Sequence, residues 1–312
     1  MRETEPFVSD MGMKKRRTDS SSKRFVALIL LVVLFFSLRN MRLRQRDEEL
    51  FSVVYEETVT PEQLNEINQL RPDFDLGTCR TLMGDISIVL FFMDDFQSNW
   101  TEKEIESFVL NDVEPGLKFL EEEAGRRGIG LNFCIKKVCS SLMYDGEVIL
   151  SIKDTGLATT DVLYQAARSL HYSSDEEMLA DYKKQYGTEV VCYTIFNKNG
   201  TSYAINPPRG DTTKVEEHCI VFKYDLTSDR DDPIGAQASI ISHELLHLYG
   251  AEDYYAPASR KRLAQKHWPS DIMLKVKYDI ADNNLGNATA FYVGWTNRVP
   301  EAMQNDGWNG SF

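Results

Sequence analysis

The sequence predicts an α+β fold in which long helices pack on a mixed β-sheet. Three observations predict this class. The 312 residues are 42% hydrophobic and 27% charged, a composition typical of globular rather than disordered proteins. Short apolar runs of strand length alternate with longer segments of helical periodicity. Their order is strand, long helix, strands, hairpin, strand and helix, which favours a mixed sheet covered by helices.

The N-terminal part of the chain has the pattern of a membrane anchor. Residues 25–38 carry no charge, with six basic residues shortly before them and four after them. No small-x-small cleavage site follows, so an uncleaved signal anchor over residues 25–41 is favoured over a secretory signal peptide that is removed. The excess of basic residues before the run favours a cytoplasmic N-terminal tail, residues 1–24. The remainder of the chain is then expected outside the cytoplasm.

Basic and acidic residues are unevenly distributed along the chain, with a basic N-terminal part and an acidic remainder. Residues 1–46 hold 11 basic and 4 acidic residues, whereas residues 47–312 hold 24 basic and 44 acidic residues. Such an acidic body repels nucleic acid, so nucleic acid is not an expected partner. We divide this body into a polar juxtamembrane linker, residues 42–80, and one globular domain, residues 81–312.

The domain is predicted to open with a buried strand and a long helix. Residues 85–96 (DISIVLFFMDDF) form a nearly continuous apolar run, typical of a strand buried on both faces. The helix is predicted over residues 101–126, where Thr101 and Glu104 form a capping box and Pro115 is expected to distort the axis. Two more strands are predicted at residues 128–138 and 147–153.

The middle of the domain is predicted to form helices followed by a β-hairpin. Helical signals cover residues 159–186. The strands 189–196 and 201–207 then flank the sequence NKNG, and an Asn-Gly pair is typical of tight hairpin turns. A further strand is predicted at residues 218–226.

The five cysteines cannot all pair within one chain. Cys134 and Cys139 fall on one predicted strand, on opposite faces and about 17 Å apart, which is too far for a disulfide. None of the cysteines has the spacing of a zinc site, and the sequence leaves one or two other disulfides open.

The last predicted helix, residues 231–250 (DDPIGAQASIISHELLHLYG), carries both a start and a stop signal. Asp232 is a favourable N-cap, and Pro233 occupies the first helical position, where its missing N–H has no cost. Gly250 is placed to end the helix in the left-handed conformation. The helix is therefore predicted to end three residues after its second histidine, His247.

Two histidines four residues apart share one face of this helix. His243 and His247 have the spacing at which two imidazoles bind one metal ion. Glu244 is rotated by about 100° from His243, so it is placed to reach a metal-bound water rather than to join as a ligand. This is the arrangement of H-E-x-x-H zinc peptidases, in which the glutamate is the general base.

The segment SHELLHLYGAED resembles the metzincin family of zinc peptidases, in the version of its motif that ends in aspartate. Its matching positions are His243, Glu244, His247, Gly250 and Asp253. The resemblance implies a zinc ion held by His243, His247 and Asp253, and a zincin-like mixed sheet before the zinc-binding helix. It also implies a C-terminal subdomain with a methionine-containing turn beneath the metal, for which SDIM with Met273 is the candidate.

The resemblance further implies an endopeptidase whose substrate lies extended along an edge strand. Strand 201–207 or strand 189–196 is the candidate edge. Some members use a tyrosine two residues after the methionine, but this chain has Lys275 there. The nearby tyrosines are expected to pack; they are Tyr254, Tyr255 and Tyr278.

The sequence therefore predicts a membrane-anchored zinc peptidase that hydrolyses peptide bonds through a zinc-bound water, with Glu244 as general base. Two alternatives remain. One is another metal-dependent amide hydrolase, and the other is a membrane-anchored binding module with a structural or vestigial zinc site. A structural site usually has four protein ligands and needs no glutamate base. His267 and His218 are the candidates for a fourth ligand, but neither occupies a motif position.

Overall fold

A computed structural model describes residues 79, 81–145, 161–187, 189–205, 217–225, 237–304 and 308. It confirms the α+β class, because a five-stranded mixed sheet packs against helices. The predicted cytoplasmic tail, the predicted anchor and strand 147–153 lie outside these residues. Within these ranges, no helix has the length and apolar character that a membrane crossing requires.

The strands form one sheet in the order β2-β1-β3-β5-β4. Three neighbouring pairs are parallel, and only β4 runs antiparallel to its partner, β5. The strands are β1 (Gly84–Asp94), β2 (Leu131–Met143), β3 (Val190–Gly200), β4 (Tyr203–Ile205) and β5 (His218–Asp225). Strand β2 extends five residues beyond its predicted end.

The predicted hairpin between strands 189–196 and 201–207 is wrong. Strand β5 lies between β3 and β4, and β4 pairs with β5 instead. The physical reason is burial: the apolar β5 pairs with β3 along most of its length, whereas β4 offers only three residues. Gly200 ends β3 rather than forming a turn, and a side chain at this position would collide with the ring of Phe222. Among the strands that the structure describes, β4 lies at an edge of the sheet, whereas β3, the other candidate edge, lies inside it.

The predicted helix over residues 101–126 is confirmed, with an irregular centre. Helix α1 (Glu102–Phe108) begins at the predicted capping box of Thr101 and Glu104. A π-helical segment, Val109–Val113, then leads into α2 (Glu114–Gly125). This segment precedes Pro115, which occupies the first turn of α2 and has no N–H to donate to the preceding turn.

Helices cover both faces of the sheet. Helices α3 (Asp161–Ser169) and α4 (Asp175–Tyr186) lie in the region of predicted helical signals. Their apolar residues form one core with Val89, Phe91 and Met93 of β1. Helix α5 (Gln237–Leu248) packs against β5 and α2. Because β1 is covered on both sides, it is an almost continuous buried apolar strand, as its sequence indicates.

The chain after α5 is mainly helical and irregular. It contains α6 (Ala258–His267), α7 (Asn287–Tyr292) and two 3₁₀ segments, Ile280–Asp282 and Glu301–Gln304. All five cysteines are free thiols. Cys134 is exposed and Cys139 is buried, which agrees with their predicted placement on opposite faces of one strand.

Gly116 allows α2 to lie unusually close to α5. A Cβ atom added at Gly116 would lie 2.5 Å from the carbonyl oxygen of Ala238 and 3.0 Å from the Cβ of Ile241. At the same contact, the Ser242 hydroxyl donates to the Gly116 carbonyl at 2.8 Å. A glycine in α2 therefore determines how closely the histidine-bearing helix approaches its neighbour.

Gly116→Ala is expected to destabilise the protein by about 1–3 kcal/mol, because the added methyl group pushes the two helices apart. The matched control is Gly125→Ala in the same helix, where an added Cβ meets no atom within 4 Å. That change should be neutral or stabilising by up to about 1 kcal/mol, from helix propensity alone. Urea unfolding measures both. Equal stability of the two variants would contradict the close-packing role of Gly116.

Candidate metal centre

Helix α5 brings the two motif histidines together on one face. Their Nε2 atoms lie 3.2 Å apart, and the two rings are nearly perpendicular. His243 is only 6% exposed. The spacing of four residues places both side chains over the same turn of the helix, as the sequence predicts. The start of the helix at Asp232 and Pro233 lies outside the described residues.

Gly250 reverses the chain after α5. Its φ angle is +89°, in the left-handed region that favours glycine, so the prediction of a glycine-terminated helix is confirmed. The reversal returns Asp253 to the histidines. Its Oδ1 atom lies 3.3 Å from Nε2 of His243 and 3.4 Å from Nε2 of His247. Three side-chain atoms thus form a nearly equilateral triangle.

The triangle fits a tetrahedral zinc site. Zinc bonds to imidazole nitrogen and carboxylate oxygen of about 2.0–2.1 Å give a tetrahedral edge of about 3.3 Å. The three measured edges are 3.2, 3.3 and 3.4 Å. Two imidazoles and one carboxylate are also a donor set that zinc uses in catalytic sites, whereas calcium and magnesium prefer oxygen ligands alone. The residues present therefore fit zinc through three protein ligands.

Backbone carbonyls orient both imidazoles. The Nδ1–H of His243 donates to the carbonyl oxygen of Ile272 at 3.2 Å, and that of His247 donates to Ala251 at 2.7 Å. A carbonyl oxygen can only accept, so each Nδ1 carries the proton and each Nε2 faces the shared point. Such outer hydrogen bonds fix ring orientation and tautomer in metal-binding histidines.

Asp253 and the histidines of the triangle interact electrostatically. Burial by itself lowers the pKa of His247, but the charge and hydrogen bond of Asp253 outweigh it and raise this pKa to about 9. Burial acts in the opposite sense on Asp253, yet the two imidazoles hold its pKa well below the usual range. Asp253 therefore carries a negative charge beside both imidazoles.

The backbone around Asp253 is held from two sides. The Arg260 guanidinium donates to the Asp253 carbonyl oxygen at 3.2 Å and to that of Trp308 at 3.2 Å. The backbone N–H of Tyr254 donates to the carbonyl oxygen of Met273 at 2.8 Å. The position of the third candidate ligand thus depends on contacts with residues that are distant in the sequence.

The turn containing Met273 contacts the residues that carry the triangle. Its Ile272 carbonyl orients His243, and its Met273 carbonyl holds the chain beside Asp253. Met273 is fully buried. The buried carboxylate of Asp271 anchors the turn, because it accepts from the backbone N–H of Met273 at 2.8 Å and from the backbone N–H of Gly286 at 2.7 Å.

Glu244 is buried beside the triangle, with 4% of its surface exposed. Its charge contributes to the raised pKa of His247 and of Tyr255. The Glu244 carboxylate is therefore close enough to interact electrostatically with these groups. It supplies none of the three atoms of the triangle. This arrangement suits a general base that takes a proton from a molecule bound at the metal position, rather than a metal ligand.

Tyr255 contacts the triangle, although its sequence position predicts only a packing role. Its hydroxyl donates to Oδ2 of Asp253, while 46% of the residue remains exposed. The hydroxyl keeps its proton, since burial and the Asp253 charge raise the pKa of Tyr255 well above its usual range. In the sequence, this role is indicated only by the position of Tyr255 two residues after Asp253, the last motif position. A single tyrosine near a motif does not by itself indicate a contact with the site.

The other candidates do not join the triangle. Within the described ranges, a single group of three or more His, Cys, Asp or Glu side chains could hold a metal ion, namely His243, His247 and Asp253. His267 is exposed at the end of α6, and His218 is buried in β5. Of the other two tyrosines, Tyr278 is 56% exposed and Tyr254 is buried, with its hydroxyl bonded to Thr289.

The comparisons with known proteins do not assign the chain to a family. No protein-family model matches it, and a search of curated proteins found no match.

Proposed function

We propose that the chain is a membrane-anchored, zinc-dependent endopeptidase of the metzincin type. The observation that carries the proposal is the triangle of His243, His247 and Asp253, whose edges equal those of a tetrahedral zinc site. Three protein ligands leave a fourth position for water or substrate, which is the arrangement of catalytic rather than structural zinc. Anchoring through residues 25–41, with the catalytic domain outside the cytoplasm, is part of the same proposal.

The zinc ion, when bound, supplies Lewis-acid polarisation of the scissile carbonyl and increases the acidity of water. Glu244 follows His243 directly and is buried beside the ligands. We assign it the removal of a proton from the attacking water and the delivery of that proton to the leaving amine.

The sheet supports an extended peptide substrate. Strand β4 lies at the sheet edge and is antiparallel to β5, and β5 packs against α5. A peptide can add to the edge strand of a sheet as a further strand. Such main-chain recognition favours a peptide over a small amide as the substrate.

The proposal predicts one zinc ion per chain and peptide cleavage that depends on it. Elemental analysis of the purified full-length protein measures the zinc, and mass spectrometry of a digested peptide library measures cleavage. A chelator should abolish cleavage, and added zinc should restore it. Stoichiometric zinc without cleavage of any peptide would favour the binding module, and cleavage of only non-peptide amides would favour the other hydrolase.

A further inference from the structure

We infer that Tyr255 is a positioning residue for the metal centre. Its hydroxyl orients the Asp253 carboxylate so that Asp253 binds the metal through one oxygen only. The inference rests on the proposed function, because it concerns how this chain presents its third zinc ligand. It adds a residue that lies outside the H-E-x-x-H-x-x-G-x-x-D motif.

The two oxygens of Asp253 have different surroundings. Oδ1 is buried and faces the Nε2 atoms of His243 and His247. Oδ2 instead accepts the hydrogen bond of the Tyr255 hydroxyl. Oδ1 thus faces the metal position, whereas Oδ2 accepts a hydrogen bond from Tyr255.

The remaining freedom of Asp253 is the orientation of its carboxylate. Arg260 holds the Asp253 carbonyl oxygen, and the bond from the Tyr254 N–H to Met273 fixes the next residue. These contacts set the position of the backbone but do not determine the rotation of the side chain. The Tyr255 hydroxyl sets this rotation because its hydrogen bond to Oδ2 keeps Oδ1 directed at the imidazoles.

The rotation matters for the coordination number of the metal. A carboxylate that binds through both oxygens occupies two positions, whereas one that binds through a single oxygen occupies one. Because zinc in catalytic sites keeps one position open beside three protein ligands, a second oxygen from Asp253 would fill or crowd it. By engaging Oδ2, Tyr255 keeps that position available.

Tyr255 is too exposed for its main role to be packing in the hydrophobic core. Tyr255 is 46% exposed, whereas the adjacent Tyr254 is fully buried among aromatic side chains. Tyr255→Phe removes only one oxygen atom from a partly exposed residue, so it creates no cavity. The variant therefore removes the hydrogen bond to Asp253 and preserves the fold.

The test compares Tyr255→Phe with Tyr278→Phe in the full-length protein. Tyr278→Phe is the matched control because Tyr278 is 56% exposed and lies outside the triangle. Competition with a chromophoric chelator measures zinc affinity, and the visible spectrum of the Co²⁺-substituted protein reports coordination number. Tyr255→Phe should bind zinc roughly 10- to 100-fold more weakly, the usual effect of losing an outer hydrogen bond to a ligand. Its Co²⁺ bands should also weaken, since five-coordinate Co²⁺ absorbs less than tetrahedral Co²⁺.

Unchanged zinc affinity together with an unchanged Co²⁺ spectrum in Tyr255→Phe would overturn the inference. Equal changes in Tyr255→Phe and Tyr278→Phe would also overturn it, because they would indicate a general effect on the fold. A wild-type protein that binds no stoichiometric zinc would instead overturn the proposed function. The two failures are therefore distinguishable without any measurement of peptidase activity.

Discussion

Glu244→Gln is expected to reduce peptidase activity by about 10²- to 10⁴-fold while the protein keeps its zinc. Glutamine has nearly the same shape as glutamate, but its amide cannot take a proton from water. Glu244 contributes no atom to the triangle of candidate ligands, so the zinc content should not change. The rate of peptide cleavage and the zinc stoichiometry, measured on the same preparation, check both parts.

Glu106→Gln provides the control for this variant. Glu106 is an exposed residue of α1, so the same chemical change there should leave cleavage unaffected. Wild-type activity in Glu244→Gln would exclude Glu244 as the general base. Loss of zinc together with activity would instead indicate that Glu244 supports the ligands, and the catalytic assignment would then require revision.

Asp253→Ala is expected to weaken zinc binding by more than the 10- to 100-fold that is typical for loss of an outer partner, because a direct ligand is removed. Asp253 supplies one corner of the triangle and the only negative charge among the three ligands. Its removal leaves two histidines, which are fewer protein ligands than zinc sites normally have. Competition with a chelator of known affinity measures the loss.

His267→Ala tests whether His267, the candidate for a further ligand, takes part in zinc binding in place of Asp253. His267 is exposed at the end of α6 and lies outside the triangle, so this variant should bind zinc as the wild type does. The opposite pattern, with normal binding in Asp253→Ala and weak binding in His267→Ala, would show that His267, and not Asp253, is the third zinc ligand. Circular dichroism of both variants confirms that the comparison is made on folded protein.

Much of the candidate site could be predicted from local sequence. The spacing of His243 and His247 fixes their relative placement because a helix repeats every 3.6 residues. Gly250 ends the helix in the left-handed conformation because glycine lacks a Cβ atom, a property that can be read from the sequence alone. The class of the fold follows from the same kind of pattern, because an apolar run without alternation, as in β1, requires cover on both faces.

Strand pairing could not be predicted in the same way. The Asn199-Gly200 pair has the pattern of a hairpin turn, yet Gly200 is the last residue of β3 and lies against the Phe222 ring. Which strand pairs with β3 depends on the burial of β5, a segment that follows later in the chain. A local turn signal carries no information about such a competitor, and the competing strand β5, with 8 residues, is longer than β4, with 3.

The sequence by itself determined the helix with its two histidines, its terminating glycine and the α+β class, because each follows from periodicity or from the conformational freedom of single residues. Only the tertiary structure decided that Asp253 meets both imidazoles, that the Met273 turn supports them and that Tyr255 binds the remaining carboxylate oxygen. The longest of these contacts joins His243 of α5 to Ile272, 29 positions away in the chain. Such contacts depend on how the segments pack against one another, which the spacing of residues in the sequence does not specify.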